Sequence, residues 1–93
     1  MVIRMNLFTV LLNIQEYSET DVLYVEQPWS LESDVILLDG SKEDTKPIVK
    51  NHQVFEYFLE IFMINELFED LGTQNLCIQD QCQRIIEYVI NDA

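Results

Sequence analysis

The sequence predicts an α+β fold in a single domain over residues 1–93. Apolar residues follow helical spacing near both ends of the chain, two short runs between them are rich in β-branched residues, and a long aromatic segment precedes the last helix. A chain of 93 residues falls within the size range of one domain. The predicted order is a helix, a two-stranded antiparallel pair, a long aromatic helix and a C-terminal helix.

The first helix is predicted from Leu7 to Tyr17. Five apolar residues follow the spacing of one helix face: Leu7, Val10, Leu11, Ile14 and Tyr17. Asn6 precedes them and is a residue type that caps the first turn. The apolar opening Met1–Leu12 lacks a small-residue cleavage site, so we interpret it as part of this helix and not as a signal peptide.

Two strands are predicted next, at Val22–Val25 and Val35–Leu38. The first ends before Pro28, because proline cannot donate to a strand ladder. A connector of about nine residues allows the two strands to pair antiparallel. An isolated pair is marginal in water, so it must lie against the helices or extend across a subunit boundary. The polar segment Ser41–Pro47 is predicted to be a loop.

A long aromatic helix is predicted from about Asn51 to Leu71, with Gly72 as its C-terminal cap. Its few polar positions leave only a narrow polar stripe, whereas an ordinary surface helix has a polar half. Each large apolar side chain left in water forgoes about 1.5–3 kcal/mol of burial. We therefore expect one face of this helix to contact a second protein chain. The alternative is that the other helices and the sheet cover it.

Helical spacing in the C-terminal part predicts a helix from about Gln79 to Asn91. Asn75–Cys77 is an optional third short strand in this prediction. If Cys77 and Cys82 lie on one helix, their Cα atoms are about 8.6 Å apart, which is too far for a disulfide. We expect both cysteines to be reduced, and we expect a cytoplasmic location.

The charge of the chain limits its partners. Seventeen acidic residues and five basic ones give a net charge of −12, while 48% hydrophobic residues indicate a folded chain. This charge repels phosphate backbones and anionic lipids, so we expect no direct nucleic-acid or membrane-surface binding and favour a partner protein with a basic surface. No apolar stretch approaches the roughly eighteen residues of a membrane span.

Residues for catalysis or metal binding do not form a recognisable set. The single histidine, His52, is interpreted as a solvated residue at a helix start. Two cysteines and one distant histidine do not provide a zinc site, and the segment Asp39–Asp44 places glycine and lysine wrongly for a calcium loop. Two glycines cannot form a phosphate cradle. We expect a protein that is not an enzyme and that has no cofactor and no metal.

Aromatic and acidic residues are the candidates for a protein interface. Trp29 follows Pro28 and is the kind of rigid aromatic that anchors interfaces, although a core position is the alternative. Acidic residues cluster near the end of the aromatic helix and again at Glu16, Glu19 and Asp21. Each cluster either binds basic side chains of a partner or is a solvated edge. The predicted interface residues are Trp29, Phe55, Phe58, Phe62, Glu66, Glu69 and Asp70.

Two segments resemble a family of small acidic bacterial proteins of unknown function. In Val22–Asp39 a tyrosine strand leads to a Pro-Trp turn, a polar connector and an apolar strand that ends in aspartate. Leu76–Ile86 is similar to the closing pattern of that family, a short strand followed by a helix that begins near Gln-Asp. The resemblance implies a fold but no activity, and it implies an association with mobile elements and immunity clusters.

The first functional hypothesis is a non-catalytic protein-binding module, of immunity or inhibitor type, that offers carboxylates to a basic partner. The second is a homo-oligomeric structural or regulatory protein, a dimer in which the aromatic helix pairs with its symmetry mate. A small-molecule binder would need a cavity that this thin core can hardly contain. A DNA mimic stays open, because carboxylates can imitate phosphates.

Overall fold

The computed structural model describes residues 5–39 and 46–92. Within these ranges the fold is α+β, which confirms the predicted class. Two 3-10 turns, Ile14–Glu16 and Gly72–Gln74, follow the first and second helices. The helices and strands are α1 Leu7–Leu12, β1 Asp21–Glu26, β2 Val35–Asp39, β3 Ile48–Lys50, β4 Gln53–Glu60, α2 Ile61–Leu71 and α3 Ile78–Asp92.

The four strands form one antiparallel sheet in the order β2-β1-β4-β3. On β4, Leu59 pairs with Leu23 of β1 and Tyr57 pairs with Tyr24, so Phe58 is an extra, unpaired residue in the ladder. Such a bulge interrupts the alternation of side chains between the two faces. Phe58 and Leu59 can therefore both enter the same hydrophobic core.

The core lies between the helices and one face of the sheet. Leu23 and Val25 of β1 contribute to it together with residues of all three helices. Tyr24 and Tyr57 lie on the opposite face, where their rings meet edge-on with centroids 6.1 Å apart. Among the described residues, no helix is both long and apolar enough to cross a membrane.

The prediction of a helix from Asn51 to Leu71 is wrong over its first half. Residues 53–60 form strand β4, and the helix begins only at Ile61. An aromatic, apolar run satisfies both helical and strand patterns, and pairing with the central strand β1 decides the outcome. Within the described part of the chain the sheet therefore has four strands, where a two-stranded pair was predicted, and Asn75–Cys77 is not a strand.

The residues expected to start that helix instead form a tight turn. Asn51 and His52 connect β3 to β4 and have φ angles of 50° and 66°. A two-residue turn with both φ angles positive matches the twist of a hairpin. His52 is therefore an exposed turn residue and not a helix start.

The first helix begins at Leu7 as predicted, but it ends at Leu12 and not at Tyr17, and a 3-10 turn follows it. The Asn6 cap is confirmed, since its Oδ1 accepts a 2.8 Å hydrogen bond from the backbone of Thr9. The C-terminal helix is confirmed with limits of Ile78–Asp92. Gly72 is the C-cap of α2, as predicted, but its φ of −60° is right-handed; a 3-10 turn follows, and that turn ends at Asn75 in the left-handed conformation. The predicted loop Ser41–Pro47 lies mostly outside the described residues.

Candidate functional site

An open groove of about 760 Å³ lies between the end of α1, the 3-10 turn that follows it, α2 and the start of α3. We call it the acidic groove. Its volume falls within the range of about 300–1,000 Å³ that is usual for ligand pockets. The lining residues are Leu11, Leu12, Asn13, Ile14, Gln15, Glu16, Tyr17, Glu19, Asn65, Phe68, Glu69 and Ile78.

The end of α1 forms one wall of the groove. Helix α1 stops at Leu12, and the side-chain amide of Asn13 donates a 2.9 Å hydrogen bond to the carbonyl of Thr9. Asparagine favours helix ends because its side chain competes for backbone partners. The chain then turns, with Ile14 buried in the core as an anchor, so that Leu12 and Glu16 stay exposed.

A backbone hydrogen bond joins this wall to α2. The N–H of Phe62, in the first turn of α2, donates to the carbonyl of Glu19 at 3.3 Å. The first N–H groups of a helix have no partner within the helix, so this contact satisfies one of them. It places Glu19 beside the first turn of α2.

Apolar side chains also line the groove. Leu12 and Ile78 are exposed and Phe68 is half-buried; we call these three residues the apolar floor. Burying an exposed leucine or isoleucine is worth about 1.5–3 kcal/mol. The floor therefore favours contact with another apolar surface.

Three carboxylates line the groove with this floor: Glu16, Glu19 and Glu69, here called the acidic rim. All three are exposed, and Glu69 comes from α2 while the other two come from the segment after α1. Among the described residues that line the groove none is basic, so these carboxylates give it a negative charge that attracts cations.

Of the three acidic residues predicted for the interface, one lines the groove and two do not. Glu69 lines the acidic groove. Glu66 and Asp70 are exposed on the same helix, but neither is part of the lining. Of the three rim residues, Glu69 is the one that was predicted as an interface residue from the sequence.

The predicted aromatic residues lie elsewhere. Phe58 is 1% exposed and Phe55 is 4% exposed, so both are sealed within this chain. Their burial removes the argument that these two phenylalanines need a partner. Phe62 is 42% exposed on α2. Trp29 is half-buried, with its indole N–H donating to the carbonyl of Val25 at 3.1 Å.

Two side chains have perturbed acidity, and neither lines the acidic groove. Burial raises the pKa of the Cys82 thiol to about 11. Burial, and then the neighbouring Glu60 carboxylate, raise the pKa of Tyr57 above its ordinary value. In the described ranges, no three His, Cys, Asp or Glu side chains come together as a metal site.

In the sequence, Glu16 and Glu19 form an acidic cluster separate from that of Glu69, and nothing in the sequence predicts that all three line one groove. The hydrogen bond between Phe62 and Glu19 places the segment after α1 beside the first turn of α2, and it connects residues more than forty positions apart. No local pattern signals such a contact. No sequence pattern gives the exposed residues Leu12 and Ile78 a functional role, because exposure depends on the packing of neighbouring elements.

Comparison of this chain with family models, with curated proteins and with solved structures found no match. The resemblance to small acidic bacterial proteins stays a prediction. The functional argument therefore depends on the geometry and charge of the acidic groove.

Proposed function

We propose that this chain is a non-catalytic protein-binding module, of immunity or inhibitor type, and that its acidic groove takes a basic segment of a partner protein. One observation carries the proposal. Glu16 and Glu19, from the segment after α1, and Glu69, from α2, line a single groove together with the apolar side chains of Leu12, Phe68 and Ile78.

The acidic rim and the apolar floor have separate roles in this proposal. Exposed carboxylates attract Lys and Arg side chains before contact and so raise the association rate. Burial of the floor on contact then slows dissociation. The partner segment that fits both parts carries basic residues beside apolar ones.

The lining also supports a binding role over a catalytic one. Its described residues are aliphatic, aromatic, amide and carboxylate side chains, without a histidine, cysteine or lysine. Nucleophilic catalysis uses a nucleophile held next to a base. The carboxylates of the rim are exposed and suit recognition of a cation.

The proposal is tested with a short synthetic peptide of Leu-Lys-Lys-Leu repeats, labelled for fluorescence anisotropy. The triple variant Glu16→Gln, Glu19→Gln and Glu69→Gln is expected to weaken binding about tenfold, because each exposed ion pair is worth about 0.5 kcal/mol. A peptide with glutamate in place of lysine is expected not to bind.

A matched variant distinguishes specific binding in the groove from attraction by the net charge of the whole chain. Glu32→Gln, Glu66→Gln and Glu87→Gln change the net charge by the same amount, and these three residues are exposed but outside the groove. We expect this variant to bind the peptide within about twofold of the unmodified chain. Equal weakening by both triple variants would show only non-specific attraction and would contradict the proposal.

A further inference from the structure

Helices and turns form the walls of the acidic groove. Leu12 is the last residue of α1, the 3-10 turn Ile14–Glu16 follows it, and the start of α3 also lines the groove. Helix α2 contributes Asn65, Phe68 and Glu69, which have the i, i+3, i+4 spacing of one helix face. None of the described lining residues belongs to a strand, and the edge strands β2 and β3 lie outside the lining. A bound segment therefore finds no strand edge in this groove.

The backbone of these walls is already hydrogen-bonded within the chain. The N–H of Glu16 donates to the carbonyl of Asn13 at 2.9 Å. The N–H of Tyr17 donates to the carbonyl of Ile14 at 3.3 Å. The carbonyl of Glu19 accepts from the first turn of α2, and the turns of α2 pair with one another. The walls therefore contact a bound segment mainly through side chains.

This arrangement distinguishes between two conformations of a bound segment. An extended peptide has unpaired N–H and C=O groups along its length, and each such group that is buried without a partner costs free energy. An α-helix satisfies these groups within itself. Extended peptides accordingly bind at sheet edges, whereas amphipathic helices bind in grooves through their apolar face. The groove therefore favours a helical segment.

The distribution of charge around the groove favours the same conformation. Glu16 and Glu19 follow α1, whereas Glu69 belongs to α2, so carboxylates stand on more than one wall. In an extended segment, the neighbours of a residue that contacts the apolar floor point away from the groove. In a helix, a stripe of apolar residues has polar positions on both sides of it. One helix face can therefore contact the floor and bring basic side chains to the acidic rim together.

We infer that the segment bound by the acidic groove is an amphipathic α-helix of a partner protein, with an apolar stripe on the floor and Lys or Arg on both sides of the stripe. This inference rests on the proposed function and specifies the ligand of the same site. It defines the pattern that a partner carries: apolar residues at i, i+3, i+4 and i+7 with basic residues between them. A basic segment whose apolar residues alternate lacks this face.

Three labelled peptides of equal length and composition test the inference by fluorescence anisotropy with the unmodified chain. The first repeats Leu-Lys-Lys-Leu, so its leucines have helical spacing. The second alternates Leu and Lys, which is the spacing of a strand. The third has the sequence of the first with D-residues at several positions, which oppose a right-handed helix at unchanged charge. We expect the first to bind at least about tenfold more tightly than the other two, and to gain helical circular dichroism on binding.

Two matched variants of the chain connect this preference to the groove. Leu12→Ser with Ile78→Ser removes two exposed residues of the apolar floor. Tyr88→Ser with Ile90→Ser removes two residues of similar exposure from α3, outside the lining. We expect the floor variant to bind the first peptide about tenfold more weakly and to lose its preference over the third. The α3 variant should keep both within about twofold, and equal losses in the two variants would contradict the inference.

The remaining outcomes separate this inference from the proposed function. If the three peptides bind equally and the Glu16→Gln, Glu19→Gln and Glu69→Gln variant weakens all of them, the inference fails and the proposed function stands. Tighter binding of the alternating peptide also overturns the inference, because the bound segment is then extended. A dimer of the unmodified chain that the first peptide dissociates in sedimentation would make a second copy the occupant and would overturn it too. If no peptide binds, both fail.

Discussion

The indole ring of Trp29 stands edge-on against the phenyl ring of Phe58, with centroids 5.2 Å apart and planes at 85°. Phe58 is the bulge residue of β4, and Trp29 lies in the connector between β1 and β2. The indole N–H also donates to the carbonyl of Val25. One side chain therefore links the connector, the end of β1 and the core face of β4.

We expect truncation of this ring pair to destabilise the fold. Phe58→Ala should lower the free energy of unfolding by about 3–5 kcal/mol, because it removes a fully buried aromatic ring. Trp29→Phe keeps a ring but loses the hydrogen bond to Val25, at a cost of about 1 kcal/mol. Urea unfolding, followed by circular dichroism, measures both changes.

Phe62 provides the matched control for Phe58. It is also a phenylalanine but is 42% exposed, so Phe62→Ala should cost much less than Phe58→Ala. If the two alanine variants were equally destabilised, the placement of Phe58 in the core would be wrong.

Substitutions at the two turn residues between β3 and β4 should change the stability of the chain in opposite directions. His52 has a φ of 66°, a conformation that costs a residue with a Cβ roughly 1–2 kcal/mol and costs glycine little. His52→Gly should therefore stabilise the chain by about 0.5–1 kcal/mol. Asn51→Ala should destabilise it, since asparagine tolerates a positive φ better than alanine. Thermal or urea unfolding tests both; destabilisation by His52→Gly would contradict the turn geometry.

The elements that could be predicted from sequence are those with a local signal. Helix α3 has a clear helical period, and α1 has its cap at Asn6, so neither needs information from elsewhere in the chain. Strands β1 and β2 are bounded by polar or turn residues. Pro28 marks the end of β1 correctly because its effect on the ladder is local.

Strand β4 and the acidic groove could not be predicted because both depend on contacts between distant segments. The run from Val54 to Phe58 is rich in aromatics and fits either a strand or a buried helix, and only its pairing with β1 decides. The turn at Asn51 and His52 lacks glycine, so the usual hairpin signal was missing. In the groove, Glu69 was identified from its own helix, but its proximity to Glu19 depends on tertiary structure.

The two cysteines should differ sharply in reactivity. Cys77 is exposed and Cys82 is buried in the core. A thiol reagent such as dithiobisnitrobenzoate at about pH 8 should modify one thiol per folded chain quickly and the second only on unfolding, because access and thiolate formation both limit Cys82. Cys77→Ser should abolish the fast reaction and leave the slow one. Fast modification of both thiols in the folded chain would contradict the burial of Cys82.

Burial of Cys82 also predicts a loss of stability at high pH. Its pKa is about 11 in the folded chain against 9.0 when unperturbed, so above pH 9 the unfolded chain releases a proton that the folded chain keeps. The stabilisation is fully present below pH 9 and is lost as the pH rises through 11, by an amount on the order of 2–3 kcal/mol. Cys82→Ala has no thiol to titrate at this position, so its deficit in the free energy of unfolding should shrink between pH 9 and 11. Ile86→Val, a core truncation without a titrating group, should keep a constant deficit over the same range when urea unfolding is measured under reducing conditions. If the Cys82→Ala deficit is equally constant, the thiol does not titrate differently in the two states, and the raised pKa is wrong.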